Sequence, residues 1–130
     1  REATESTYQL LLRHCETGLQ AGFDMIADAT FLRRRHRHLF LDLAARLGVQ
    51  VVILDCAAPV ATLQSRIRRR AAEQKDASDA DLAVLQQQLE DHDELDERER
   101  QFVIPVATEE IPDHSIAELV SAITRANQFS

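Results

Sequence analysis

Apolar positions recur every three to four residues through most of this chain, interrupted by short continuous apolar runs. Over residues 5–20, Tyr8, Leu12, Cys15 and Leu19 share one face of a helix turning about 100° per residue, with Leu11 at its edge. Arg13, Glu16 and Gln20 face away, and Gly18 and Gly22 bracket the stop. Gly22 suits the left-handed position after a helix. A short apolar run, Met25-Ile26-Ala27, then ends in Asp28-Ala29-Thr30-Phe31. It predicts a buried parallel strand over residues 24–28 that carries an aspartate to its carboxyl end. Residues 33–47 form a second helix with Phe40, Leu43 and Leu47 on its apolar face, stopped by Gly48.

Residues 49–56 (VQVVILDC) are β-branched and apolar on both faces, as in a strand inside a parallel sheet. Pro59 opens a third helix with Val60, Leu63, Ile67 and Ala71 as its buried stripe. The polar break at 75–80 gives Ser78 or Asp79 as the cap of a fourth helix running at least to Leu89. The acidic stretch 90–100 predicts a solvated helical extension or loop. Residues 102–107 are a short third strand, placed at a sheet edge by Pro105. Ile116, Leu119, Val120 and Ile123 make a closing amphipathic helix. The order α-β-α-β-α-α-β-α predicts an α/β fold, a three-layer parallel sheet with right-handed crossovers. Three strands make a small sheet for such apolar segments, so the expected domain, residues 1–130, is single but incomplete.

Composition narrows the class. The chain is 45% hydrophobic with three glycines and three prolines, enough for a core and too few for a loop-dominated protein. No apolar run approaches the roughly 20 residues that span a bilayer. Cys15 and Cys56 form no C-x-x-C and lie among apolar residues. Without an export signal at the start, both are expected as buried free thiols in a reducing cytoplasm. The net charge of −7 argues against a general nucleic-acid binder.

Three features carry candidate chemistry. Asp28 has two readings: a ligand in the crevice beyond the strand ends, or the N-cap of the next helix. The run Arg33-Arg34-Arg35-His36-Arg37-His38 sets cations against a helix N-terminus, where the macrodipole disfavours them. It is either a solvated basic face or an approach for a phosphate. Arg66 and Arg70 stand one turn apart and either converge on one anion or are simply solvated.

Taken in order, the chain resembles a known group. The residues are Ala3-Thr4, Thr7-Tyr8, Asp28-Ala29-Thr30-Phe31-Leu32 with Arg37, Asp55-Cys56-Ala57-Ala58-Pro59, and Arg66 with Arg70. Asp76-Ala77-Ser78-Asp79-Ala80, Val84-Leu85 and Gln88 complete the set. It looks like the AAA-type, P-loop kinase-like ATP-binding domain often fused behind an aminoglycoside-phosphotransferase-like domain. More distantly it is similar to zeta-toxin, gluconate-kinase and polynucleotide-kinase domains. The resemblance runs from about residue 2 to 108 and implies a P-loop NTPase fold of the nucleoside-kinase kind. It implies an ATP- and Mg²⁺-dependent phosphotransferase acting on a small hydroxyl substrate.

By that resemblance, Asp28 takes the Walker-B-like place near Mg²⁺ or the acceptor. Thr30 and Arg37 flank the acceptor, Arg66 and Arg70 belong to the lid over the transferring phosphoryl group, and Ser78 and Asp79 position the lid or the next helix. One departure stands out: no G-x-x-x-x-G-K-[ST] occurs in the chain. In the family that loop and its strand precede the segment matching Glu2, between the strands corresponding to 24–28 and 49–56. The chain is therefore expected to be the C-terminal part of a kinase-like domain, inactive alone. Its sheet would be completed by the missing N-terminal segment, a partner chain or second copy exchanging a strand, or direct pairing of the two flanking strands. A non-catalytic remnant serving as an interaction or regulatory module is the alternative.

Overall fold

In the computed structural model, residues 2–74, 79–109 and 113–126 are described. The chain divides into two compact units, residues 1–51 and 52–130.

The first unit is a helix pair with a return segment. Helix α1 (Glu2–Gln20) ends where Gly22 takes φ 86°. The Gly22 and Phe23 amides then donate to the Leu19 and Gly18 carbonyls, both at 3.0 Å, satisfying two orphan acceptors. Helix α2 (Arg34–Leu47) ends the same way at Gly48, φ 64°, with the Val49 amide on the Ala44 carbonyl at 3.0 Å. Three acid–base pairs join the helices. Glu5 meets His36 Nε2 at 3.1 Å and Arg35 at 3.5 Å, and Glu16 meets Arg46 at 2.6 Å. Early residues thus pair with early residues and late with late, so the helices run parallel. Tyr8, Cys15, Leu41, Leu43 and Ala44 are the buried apolar residues.

Parallel helices need a connection that travels back along their length. Residues 23–28 supply it in irregular, unpaired backbone, and the expected strand at 24–28 does not form. The physical reason is the ladder: a strand needs a neighbour, and this segment has none among the described residues. Phe23, Met25 and Ile26 are exposed, Ile26 to 91%. The return begins close to α1, for a Cβ at Gly18 would run into the Met25 sulfur.

The second unit carries the sheet. Strands β1 (Ile53–Ala57) and β2 (Val103–Ala107) pair in parallel, Ile53 opposite Val103 and Ala57 opposite Ala107. Between them come α3 (Val60–Gln74), α4 (Asp79–Glu90) and the short α5 (Glu97–Arg100), and α6 (Asp113–Ala126) follows β2. The protein is mixed α/β, with a two-strand sheet among the described residues in place of the three strands expected. Only residues 53–56 of the expected strand 49–56 enter the ladder, which extends to Ala57, because β2 offers partners only there. Leu54 and Cys56 are exposed, against the expectation of an interior strand and a buried thiol, since a two-strand sheet has no interior. Pro105 sits in β2, and both strands of a pair are edges. The acidic stretch holds a capping box: Asp96 accepts from the Glu99 amide at 2.9 Å, and the Glu99 carboxylate from the Asp96 amide at 2.8 Å. Glu99 is buried, not solvated as the stretch predicted. Pro112 and Ser78 lie outside the described residues.

Gly48 has open space where a Cβ would sit, so a substitution there tests backbone conformation alone. Gly48→Ala is expected to destabilise the protein by about 1 kcal/mol, and Gly48→Asn by less, read from urea unfolding. The His36 hydrogen bond, aided by the Arg35 charge, holds the Glu5 carboxyl below its ordinary 4.5. A carboxyl lowered on folding contributes stability above its unfolded pKa, and that stability is lost as pH falls through the folded value. Urea midpoints taken downward from pH 4.5 should therefore fall less steeply in Glu5→Gln than in the native chain. Burial raises the pKa of Cys15, whereas Cys56 is exposed. A chromogenic disulfide reagent is expected to label one thiol quickly in the native protein and both after denaturation.

Candidate functional site

The candidate residues fall in both units, and each group is described within its own. In the first unit Asp28 ends the apolar return segment. It is exposed and forms no hydrogen bond or ion pair with another described residue. The N-cap of α2 is Arg33, with no side-chain cap bond, so the reading of Asp28 as a helix cap is excluded. What remains is a carboxylate whose oxygens face solvent.

The turn after Asp28 is held firmly. Phe31 adopts φ 46°, a left-handed conformation that costs a bulky residue roughly 1–2 kcal/mol. Its amide donates to the Tyr8 hydroxyl at 2.9 Å. Arg37 Nη1 donates to the Phe31 and Leu32 carbonyls at 2.9 and 3.2 Å. The Phe31 ring lies 5.4 Å from Tyr8 and 5.1 Å, edge-on, from Phe40. Thr30, exposed, has its hydroxyl 3.4 Å from that of Tyr8. Thr30 and Arg37, both expected to flank an acceptor, thus meet at one turn. Thr30 faces solvent, whereas Arg37 is only 6% exposed and holds backbone.

His36, from the basic run, is a core residue. It is 2% exposed, stacks on Tyr8 at 3.9 Å and 20°, and faces Glu5. The carboxylate requires a proton on His36 Nε2, so this nitrogen donates to Glu5 and cannot also accept from Arg35 Nε, 3.3 Å away. Arg35, at the start of α2, is also tied to Glu5 of α1, which offsets part of the unfavourable macrodipole.

In the second unit Arg66 of α3 reaches the carboxyl end of the parallel pair. Its guanidinium donates to Thr108 Oγ1 at 3.2 Å and to the Thr108 carbonyl. Thr108 in turn donates its amide, at 2.9 Å, and its hydroxyl, at 3.2 Å, to the Ala57 carbonyl. One turn earlier Thr62 bonds Glu109 at 3.3 Å. Arg66 therefore ties α3 to the ends of both strands, the edge at which ligands of open α/β sheets bind. Its partners are neutral oxygens. The Arg70 side chain, Ser78 and the Asp79 side chain lie outside the described residues; Asp79 is the first residue of α4.

Sequence reasoning missed Tyr8 and Thr108 as polar partners. Tyr8 was legible only as a core position, since Phe31 lies 23 residues away, and Thr108 lies 42 from Arg66. No local pattern encodes either pair.

The residues suit Mg²⁺ and ATP in part. An exposed, unpartnered carboxylate is a hard oxygen donor. The run of backbone amides and the lysine that cradle β- and γ-phosphates have no counterpart in the sequence. Among the described residues no helix is long and apolar enough to cross a membrane.

No curated protein and no solved structure matches the chain. A family model described as an AAA domain matches residues 1–95, from the start of α1 through α4 and into the acidic stretch. On that match the chain belongs to the AAA-domain family of P-loop kinase-like proteins, whose fold is that of the P-loop NTPases and whose members typically bind ATP and Mg²⁺.

Proposed function

We propose that this chain forms the acceptor and lid side of an ATP- and Mg²⁺-dependent phosphotransferase domain that acts on a small hydroxyl substrate. The observation that carries the reading is Asp28: an exposed carboxylate without a partner among the described residues, at the end of an apolar run inside the matched span. Asp28 holds Mg²⁺ or the acceptor hydroxyl. Thr30 lies beside the acceptor, with Arg37 behind it. Arg66 and Arg70 neutralise charge on the phosphoryl group, and Ser78 and Asp79 position the segment that closes over it. Bound Mg²⁺ would screen the phosphate oxygens as a Lewis acid. Arginines in such places contribute on the order of 10³ or more in rate.

A phosphate loop from another segment completes the site in this reading, and a second copy of the chain, which lacks that loop, could complete only the sheet. The exposed apolar residues Ile26 and Leu54 favour such a neighbour. A non-catalytic remnant is the second reading, favoured by the missing G-x-x-x-x-G-K-[ST].

Isothermal titration of MgATP into the 130-residue chain is expected to show no micromolar binding. Micromolar affinity would sink the idea that the loop comes from elsewhere. Fusing a strand followed by G-x-x-x-x-G-K-[ST] before Arg1 is expected to bring MgATP binding with it. Asp28→Asn should then weaken its Mg²⁺-dependent part by about tenfold, the loss of one charged metal ligand. Binding indifferent to Asp28→Asn would favour the remnant.

A further inference from the structure

We propose that Tyr8 is a positioning residue for the turn after Asp28, and that it sets the Thr30 hydroxyl as a hydrogen-bond donor toward solvent. The inference rests on the reading of Asp28 and Thr30 as the acceptor side of a phosphotransferase site, and it names the ligand chemistry that Thr30 fits.

The hydrogen-bond inventory of the phenol gives the direction. A phenol has one hydrogen to donate. The Tyr8 oxygen accepts from the Phe31 amide at 2.9 Å. Tyr8 is 5% exposed, and its hydroxyl has two hydrogen-bond neighbours among the described residues, that amide and Thr30 Oγ1 at 3.4 Å. An amide cannot accept, so the Tyr8 hydrogen goes to Thr30 Oγ1. Thr30 then accepts on its inner side. Thr30 is exposed, and its own hydrogen is left for the outer side. The ligand atom it fits is one that accepts a hydrogen bond, such as an oxygen of a phosphate or carboxylate or the oxygen of the acceptor hydroxyl.

The ring of Tyr8 is itself fixed. It stacks on His36, and Glu5 holds His36 by Nε2. The same phenol holds the amide of Phe31, the residue with the left-handed backbone, while Arg37 holds the carbonyls on the far side of the turn. Asp28 lies three residues from this clamp. Removing the phenol oxygen therefore frees the direction in which Asp28 and Thr30 point, while the stacked ring stays in place.

The test is NMR of the labelled 130-residue chain and its Tyr8→Phe, Thr30→Val and Arg37→Lys variants. In Tyr8→Phe the Phe31 amide is expected to exchange about fivefold faster, as for one lost hydrogen bond, with little change in thermal midpoint. In mixed H₂O and D₂O the native Tyr8 Cζ signal is expected to split by an isotope effect, and Thr30→Val to abolish the splitting. Mn²⁺ serves as the metal probe: the ratio of its relaxation effects at the Thr30 and Asp28 amides gauges their separation. That ratio should shift in Tyr8→Phe, which a role in stability alone would not cause. Should Tyr8→Phe fail to fold, Thr30→Val and Arg37→Lys carry the test by the same ratio. An unchanged Phe31 exchange rate, or a Tyr8 splitting that survives Thr30→Val, overturns the proposal. Absence of Mn²⁺ effects at Asp28 in the native chain would instead remove the metal role of Asp28, while the exchange and isotope signals still decide the role of Tyr8.

Discussion

A β-strand cannot satisfy its own backbone; every amide and carbonyl needs a neighbouring strand, a side chain or water. Most of what is unusual here follows from that constraint. Strand β1 has a single strand neighbour among the described residues, and residues 24–28 have none. The side chains follow the backbone: without a third layer, Leu54 is left exposed on β1 and Ile26 on the return segment. Leaving one such side chain in water forgoes roughly 1.5–3 kcal/mol of burial. The same constraint explains Arg66. At the carboxyl edge the ladder runs out, and Thr108, held by Arg66, takes up the last carbonyl of β1.

The first unit solves its packing differently. Two parallel helices are pinned at both ends by polar pairs, Glu5 with Arg35 and His36, Glu16 with Arg46. The two arginine pairs are exposed and contribute little to stability, so their main effect is on register. The buried face does the rest. Tyr8 lies at its centre, touching His36 with its ring and the Phe31 amide with its hydroxyl. One residue thereby links the helix packing to the geometry of the turn beside Asp28.

What could be read in advance was local. Gly22 and Gly48 marked the helix ends because left-handed backbone is the province of glycine within a few residues of the stop. The helix faces came from period, and β1 and β2 from short apolar, β-branched runs. The segment Asp96-x-x-Glu99 is a capping box legible from spacing, and the density of acidic charge around it hid the signal. What stayed illegible was non-local. An apolar run such as 24–28 has the composition of a strand whether or not a neighbour exists, so its pattern could not reveal the missing ladder. Arg37 was placed beside the acceptor by the family resemblance, which gives a position and not a partner; the carbonyls it holds belong to a turn whose shape no periodicity encodes.

The turn also bears on what Asp28 is for. Reversing the chain between a return segment and a helix requires one residue near φ 46°, and glycine would adopt it without strain. This chain uses phenylalanine, with its ring against Tyr8 and Phe40, its amide on a phenol and its carbonyl on a nearly buried arginine. That is more restraint than a simple reversal needs. Over-determined backbone outliers concentrate where geometry serves a ligand. With the cap reading gone, the restraint acts on the segment that carries the exposed Thr30 hydroxyl and the Asp28 carboxylate, which has no partner among the described residues.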